Sequence, residues 1–297
     1  MKTPESAADQ RSGMLRIAVG ELLDRLRRAV AALYDPREGR SIALLVAAEL
    51  TGLPTHRLLT DPQAPCCADG ERLRRAEREL AAGRPVQYVV GHTEFCGRRF
   101  RVTEGVLVPR PETEELVDWV RRDERTARRL LDIGTGSGCI AATLAAELPG
   151  AEICAAEISD EALAVAAQNF AALQVAVDLR RADALDGLEK AFDGPFDAIV
   201  SNPPYVPASD RAAMHPNVRD HEPALALFVP DDDPLKFYRA IARAGRQMLR
   251  PHGKLYFEIY ERAARDLVRM LDAEGYGPTV VREDLFGKPR MACSSLK

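Results

Sequence analysis

From residue 112 to the carboxyl end, the sequence alternates helical stretches with short apolar runs of strand character. A helix over 112–128 is expected before the strand Leu130-Leu131-Asp132-Ile133, and a glycine-rich turn then leads into an Ala-rich helix ending near Pro149. A strand at Glu152–Ala156, a helix at 160–173 and strands near 175–180 and at Asp197–Val200 come next. A helix at 235–249, a strand at Lys254–Ile259, a helix at 261–274 and a last strand around Met291-Ala292-Cys293 complete the pattern. Strands separated by helices pair through crossovers, which makes a parallel sheet with helices on both faces. The expected class is α/β, a doubly wound sheet.

The first third has a different texture. Leu15, Val19, Leu22, Leu23, Leu26 and Val30 recur at three- and four-residue steps, which predicts an amphipathic helix over 13–33. Ile42–Leu50, ending near Gly52 and Pro54, and the Arg- and Glu-rich Glu71–Ala82, stopped by Gly83, predict two more. No strand signal stands out there. Val86–Val90 and Arg99–Val102 then favour strand, with Gly91 and Gly97 between them. The expected organisation is a helical domain over 1–84, a β-hairpin linker over 85–111 and an α/β domain over 112–297.

Charge and cysteine usage remove several function classes. The 297 residues carry 41 basic and 45 acidic side chains, a net charge of −4. Duplex nucleic acid is normally held by a clear positive excess, because phosphate neutralisation supplies most of the affinity. No such platform is present, so direct duplex binding is not expected. Cys66, Cys67, Cys96, Cys139, Cys154 and Cys293 include no Cys-x-x-Cys pair, so neither a metal centre nor a disulfide is expected. The longest charge-free run, Ala162–Val177, is too short and too polar to span a bilayer. Glu5 and Asp9 lie in a polar amino-terminal stretch without an apolar segment, so no secretory signal is expected and the location is cytoplasmic.

Two motifs carry chemistry. In Asp132-Ile133-Gly134-Thr135-Gly136-Ser137-Gly138, a strand enters a glycine turn that opens a helix, the place where an open α/β sheet binds its cofactor. The dinucleotide fingerprint Gly-x-Gly-x-x-Gly fails, because Cys139 occupies its last position. Gly-x-Gly-x-Gly instead resembles the first motif of S-adenosylmethionine-dependent methyltransferases. Glu157 closes the next strand, where a carboxylate can accept hydrogen bonds from ribose hydroxyls, and Asp183 follows the third.

The second motif, Asn202-Pro203-Pro204-Tyr205, follows the strand Ala198-Ile199-Val200-Ser201. At average composition this tetrad arises by chance in roughly one chain in a thousand. A planar amide or exocyclic amine donates two N–H bonds, and its nitrogen lone pair is delocalised. The Asn202 side-chain carbonyl and the Pro203 main-chain carbonyl can accept both hydrogens, while Tyr205 packs on the planar group. The prolines hold the loop, so orientation is established before reaction.

On these residues the chain resembles the release-factor glutamine methyltransferases. These enzymes use S-adenosylmethionine to methylate the side-chain nitrogen (N5) of the glutamine in the Gly-Gly-Gln loop of class 1 peptide chain release factors. The resemblance spans roughly residues 40–290. It also rests on Gly83-Arg84-Pro85-Val86-Gln87-Tyr88 with Gly91 and Glu94-Phe95, on Val108-Pro109-Arg110-Pro111-Glu112-Thr113-Glu114, and on Val218-Arg219-Asp220-His221-Glu222-Pro223. It implies a Rossmann-like methyltransferase domain with a linking hairpin and a small helical domain that docks the substrate, acting as a monomer.

The resemblance further implies that Gly134, Thr135, Gly136, Ser137 and Gly138 hold the methionine part of the cofactor. Glu157 would take the ribose, Asp183 and Ala184 the adenine, and Asn202 would border both ligands. Asn202, Pro203, Pro204 and Tyr205 would grip the glutamine amide, with Asn202, Pro203 and Tyr205 as the catalytic set and no metal. Ribosomal-protein glutamine methyltransferases share the tetrad but usually lack the Arg-Pro-x-Thr-Glu form. N6-adenine and N2-guanine methyltransferases use the same tetrad on exocyclic amines, and a non-catalytic cofactor-binding protein is a further alternative. Thr113 with Glu112, Glu114 and Glu115 also suits a plain helix amino terminus. Arg110, His221 and Glu222 receive no role. Glu258-Ile259-Tyr260-Glu261 stands where the family commonly has a Gly-containing turn.

Overall fold

A computed structural model describes residues 13–297; Glu5 and Asp9 lie outside the described residues. The chain forms two compact units. One comprises the described residues up to Gly91 with Pro216–His221, and the other His92–His215 with Glu222–Lys297.

In the first unit, helices at Val19–Val30, Pro36–Thr51, Thr55–Thr60, Gly70–Ala81 and Val86–Val90 bury Leu22, Leu26, Val30, Ile42, Val46, Leu73 and Leu80. Local chemistry sets their ends. The Asp35 carboxylate accepts the main-chain N–H groups of Arg37 and Glu38, Pro36 occupies the first turn, and Gly52 closes the helix at φ 69°. Asp69 caps Gly70–Ala81 in the same way.

Two expectations fail here. The helix expected from residue 13 begins at Val19, because Met14–Ala18 forms strand β1, paired antiparallel with β2 at Pro65–Asp69. Its partner lies some fifty residues away, beyond the reach of local periodicity. Val86–Val90 is a helical turn rather than a strand, started after Pro85, ended by Gly91 at φ 83°, and burying Tyr88. Tertiary burial overrides β propensity in so short a run.

The second unit opens with a hairpin of β3 (His92–Phe95) and β4 (Arg98–Arg101). Phe95 and Phe100 meet edge to face in the core of this unit, so residues 92–111 belong to it rather than to a separate linker. The helix Pro111–Asp123 is shorter than the expected 112–128. Beyond it lie β5 (Arg129–Ile133), β6 (Glu152–Glu157), β7 (Asp178–Arg181), β8 (Phe196–Ser201) and a two-residue pair, β9 (Val206–Pro207) with β10 (Phe228–Val229). Then come β11 (Leu249–Glu258), β12 (Tyr276–Glu283) and β13 (Pro289–Leu296).

One seven-stranded sheet has the order β12-β13-β11-β8-β5-β6-β7. The run from β11 to β7 is parallel, and β13 joins β11 and β12 antiparallel. Strand β12 was not expected from the sequence; its exposed alternate residues leave too little apolar signal. Alternate residues face opposite sides, as the pleat requires. Leu130, Ala198, Val200 and Tyr256 pack under Trp119 and Phe170 on one face, while Leu131, Ile133, Ile199, Leu255 and Phe257 pack with Tyr238, Ile241 and Leu267 on the other. The chain leaves β5 toward β6 on one side and returns to β8 on the other. The carboxyl ends of these strands therefore flank a topological switch point, where open α/β sheets bind ligands.

Gly138 shows how tightly the turn after β5 is held. Its φ is +80°, and an added Cβ would lie 2.5 Å from Phe170 Cε1. Left-handed strain and overpacking together predict that Gly138→Ala destabilises the second unit by about 2–4 kcal/mol. Urea unfolding with an unchanged m-value checks this, and a loss below about 0.5 kcal/mol would contradict it.

Candidate active site

Strand β5 ends at Ile133 and passes into Gly134–Gly138, where all three glycines have positive φ (71°, 56° and 80°). The N–H groups of Gly134 and Thr135 donate to the Ala156 carbonyl of β6 at 2.9 and 3.1 Å, which ties the turn to the neighbouring strand. Asp132 holds it from below. One carboxylate oxygen accepts the Thr135 hydroxyl at 2.6 Å and the Ala141 N–H at 3.2 Å. Asp132 is 1% exposed, and burial pushes its carboxyl up to about 7 despite the Thr135 and Ala141 donors, with nearby Glu157 adding to the rise.

The turn borders a cavity of about 230 Å³ at the carboxyl ends of β5, β6 and β8. Gly134, Thr135, Gly136, Ser137, Glu157, Asp183, Ala184, Asn202, Pro203 and Pro204 all line it. Gly138 and Tyr205 do not. Gly138 sits behind, against Phe170. Tyr205 turns its hydroxyl to Glu258 at 3.0 Å and stacks on Tyr260, ring centroids 6.2 Å apart.

Donors and acceptors along this wall suit S-adenosylmethionine. A Cβ added at Gly134 or Gly136 would meet nothing within 4 Å, so the glycines leave open space beside exposed backbone. Glu157 is 8% exposed; its Oε2 accepts the Gly136 N–H at 2.9 Å, and Oε1 accepts those of Ile158 and Ser159 at 2.8 and 3.0 Å. A carboxylate offers about four lone-pair positions, so three are taken. One ribose hydroxyl fits on Oε2 as it stands, and a two-hydroxyl grip requires the Gly136 N–H to let go. Asp183 Oδ1 accepts the Leu185 N–H at 2.8 Å, and exposed Ile158 and Leu185 offer apolar surface for a flat base.

The second wall is built from distant segments. Asn202 directly follows β8, and its Nδ2 donates to Thr113 Oγ1 at 3.3 Å. The Thr113 hydroxyl donates to Glu258 Oε2 at 2.6 Å, and the Tyr205 hydroxyl donates to Oε1. Thr113 is 3% exposed and lies in the first turn of its helix, but its side chain caps no main-chain N–H; Pro111, Glu112 and Glu114 supply the favourable helix start. The reading of Thr113 as a helix-start residue therefore misses its main contact. Burial raises Glu258 above the usual carboxylate range; the Thr113 and Tyr205 hydroxyls and the Arg290 charge pull it back, and Glu112 pushes it up.

Arg110 and Glu222, given no role from sequence, form an ion pair at 2.6 Å; Glu222 also accepts the Val108 N–H at 3.3 Å. That clamp joins the segment before the helix to the one after the tetrad, and Arg110 and Pro223 both line the cavity. His221 lies in the first unit, its Nε2 3.2 Å from the Ala82 carbonyl, and is no part of this pocket. Sequence reasoning missed Glu258. A signal existed: an acid directly after the apolar run Leu255-Tyr256-Phe257, at the carboxyl end of a strand where sites form.

The methyltransferase small domain family matches residues 112–220. A release factor glutamine methyltransferase of Bacteroides thetaiotaomicron is 45% identical over 90% of this chain and 96% of its own length. Enzymes with the same description from Flavobacterium psychrophilum (37%, over 89% and 94%) and Chlorobaculum tepidum (38%, over 90% and 94%) are also similar. Among solved structures, a methyltransferase from Pyrococcus furiosus shares the fold at TM-score 0.51 and 18% identity, covering 68% of this chain and 90% of that one. The hMettl16 catalytic domain does so at TM-score 0.54 and 19% identity, covering 77% and 81%.

The buried Asp132 makes the unit pH-sensitive. Burial pushes its carboxyl up to about 7, so between about pH 4 and 7 the native state holds a proton the unfolded chain has lost. Stability from this group is present at low pH and is lost as pH rises through 7. Relative to Asp132→Asn, the wild-type unfolding free energy should fall by up to about 4 kcal/mol between pH 4 and 8. Denaturant titrations across that range measure it; parallel pH profiles for the two proteins would contradict the assignment.

Proposed function

Because this chain belongs to the release factor glutamine methyltransferases, we propose that it transfers a methyl group from S-adenosylmethionine to the side-chain amide nitrogen of the glutamine in the Gly-Gly-Gln loop of class 1 peptide chain release factors. The observation that carries this reading is the orientation of Asn202. Its Nδ2 is committed to Thr113, and among the described residues no hydrogen bond occupies Oδ1. Asn202 lines the same cavity as the glycine turn, so an acceptor for an amide N–H stands beside the cofactor wall.

S-adenosylmethionine supplies an electrophilic methyl group on a sulfonium centre. The chain's own residues bind and orient. The glycine turn from Gly134 presents main chain to the methionine end, Glu157 takes a ribose hydroxyl, and Asp183 and Ala184 border the adenine. Asn202 Oδ1 accepts one amide hydrogen of the glutamine and the Pro203 carbonyl accepts the other, which fixes the nitrogen for in-line attack. Pro204 stiffens the loop. Tyr205 acts from behind the wall, through Glu258, rather than by covering the amide.

Among the described residues, the titratable side chains on the cavity wall are Arg110, Cys139, Glu157 and Asp183. Arg110 is ion-paired, both acids accept main-chain N–H groups, and burial pushes the Cys139 thiol up to about 12, so it stays neutral. None is placed as a base for the amide. Positioning therefore supplies most of the acceleration, and the proton leaves the methylated amide after attack.

The first unit docks the body of the release factor, and the enzyme works as a monomer in the cytoplasm. Among the described residues no helix is long and apolar enough to cross a membrane.

Incubation of the purified protein with labelled S-adenosylmethionine and a class 1 release factor, followed by mass spectrometry, tests the reading. The label should fall on the Gly-Gly-Gln glutamine. Label on a ribosomal protein, or on adenine or guanine amines of added nucleic acid in preference to release factor, would overturn the substrate assignment. Asn202→Ala should lower the transfer rate by about 10²-fold or more, as for loss of one preorganised polar contact, with cofactor affinity within about threefold of wild type. Undiminished transfer would falsify the amide clamp.

A further inference from the structure

A side-chain amide can present either its oxygen or its nitrogen, and the two are nearly equal in shape. For Asn202 the choice decides whether the pocket attracts or repels the hydrogens of a glutamine NH2 group. Nothing within the Asn-Pro-Pro-Tyr loop makes that choice. The contacts behind it do.

We propose that Glu258 is a positioning residue that acts through Thr113 to hold the Asn202 amide with its oxygen toward the substrate nitrogen. The inference rests on amide-nitrogen methylation as the reaction of this site. A carboxylate at Glu258 accepts and cannot donate. Its Oε2 takes the Thr113 hydroxyl hydrogen at 2.6 Å and its Oε1 takes that of Tyr205 at 3.0 Å. With its only hydrogen committed, Thr113 Oγ1 can act toward Asn202 only as an acceptor. The group that reaches it at 3.3 Å is then Nδ2, and Oδ1 is left for the glutamine. A neutral group at position 258 carries a donor as well as an acceptor and no longer enforces that direction. A protonated carboxyl donates to Thr113, the Thr113 hydroxyl turns toward Asn202, and the flipped amide offers its NH2 to the substrate NH2.

The surroundings hold this side chain in place and act on its charge in opposite directions, with burial prevailing to raise its pKa. Glu258 is 1% exposed, and the buried Tyr238 hydroxyl donates to its main-chain carbonyl at 3.0 Å. Across from it, Arg290 on β13 supplies positive charge while paired to Asp284 at 3.1 Å and lying 3.9 Å from Glu261. Glu112, on the helix that carries Thr113, supplies opposing negative charge. The acid thus receives two hydroxyl donors and one guanidinium against burial and one like charge. Residues 113, 205 and 258 come from three segments, and the Thr113–Glu258 bond joins the Pro111–Asp123 helix to the end of β11.

The test compares Thr113→Val, Thr113→Ser and Glu258→Gln with wild type in the release-factor assay, measuring kcat, KM and the pH dependence of kcat, with cofactor binding by calorimetry. Thr113→Val keeps the shape and loses the relay; kcat should fall by about 10- to 100-fold, the loss expected of a hydrogen bond to a charged group, with cofactor affinity within about threefold. Thr113→Ser should restore kcat to within about threefold of wild type. In wild type and Thr113→Ser, kcat should decline toward acid as Glu258 gains a proton, and that limb should be absent from Thr113→Val and Glu258→Gln. A Thr113→Val enzyme with kcat within threefold of wild type, or one keeping the same acid limb, overturns the relay. The two Thr113 variants decide the matter even where Glu258→Gln fails to fold. A wild-type protein that leaves the Gly-Gly-Gln glutamine unmethylated sinks the reaction assignment instead. An active wild type matched by its variants sinks only the relay.

Discussion

Strand β5 pairs in parallel with β6 on one side and β8 on the other, and the pocket depends on that pairing. Parallel strands put all their carboxyl ends on one edge. The chain departs from β5 in one direction and comes back on the other side, so no crossover covers the edge between the two neighbours. The glycine turn, Glu157 and the Asn202 loop are the three chain segments that leave β5, β6 and β8 at that opening. Strand order brings them together, and the Gly136 N–H on Glu157 Oε2 at 2.9 Å then ties two of them. The Ser201 hydroxyl, donating to the Ile133 carbonyl at 2.7 Å, ties two of these ends together just before they diverge.

Beneath this edge lie two buried carboxylates with related roles. Asp132 accepts the Thr135 hydroxyl under the glycine turn, and Glu258 accepts the Thr113 hydroxyl behind Asn202. Each is an acid almost wholly removed from water, which costs free energy unless donors replace the lost hydration. Asp132 receives two donors on one oxygen, and its other oxygen has none. Glu258 receives one on each oxygen and a guanidinium nearby. The better-satisfied acid stands behind Asn202. Buried polar groups placed this way trade stability for a defined orientation, a use for which an apolar contact has no equivalent.

Most of the α/β unit was legible because its signals are local. The helix at Asp160–Leu173, the strand entering the glycine turn and the strand that follows the next helix carry their own periodicity and end signals. The glycine turn and the tetrad were readable because their residue types have few other uses in that order. Elements whose reasons are remote were not readable. Strand β1 exists through β2, and β12 exists through β13, with half of its residues in solvent. Val86–Val90 reads as strand by composition, yet it coils between Pro85 and a left-handed Gly91 to bury Tyr88.

The sequence by itself determined the fold class and marked the glycine turn and the Asn-Pro-Pro-Tyr tetrad, because period, glycine placement and a rare tetrad are properties of neighbouring residues. Tertiary structure alone decided what stands behind them. Thr113 and Glu258 are separated by 145 positions, as are Arg110 and Glu222 by 112, and nothing in either local sequence announces a partner at that distance. Whether a threonine caps a helix or relays a carboxylate's demand to an asparagine depends on which strand end arrives beside it. That is settled by sheet order and by burial, which withdraws water and leaves each polar group only the partners the fold provides.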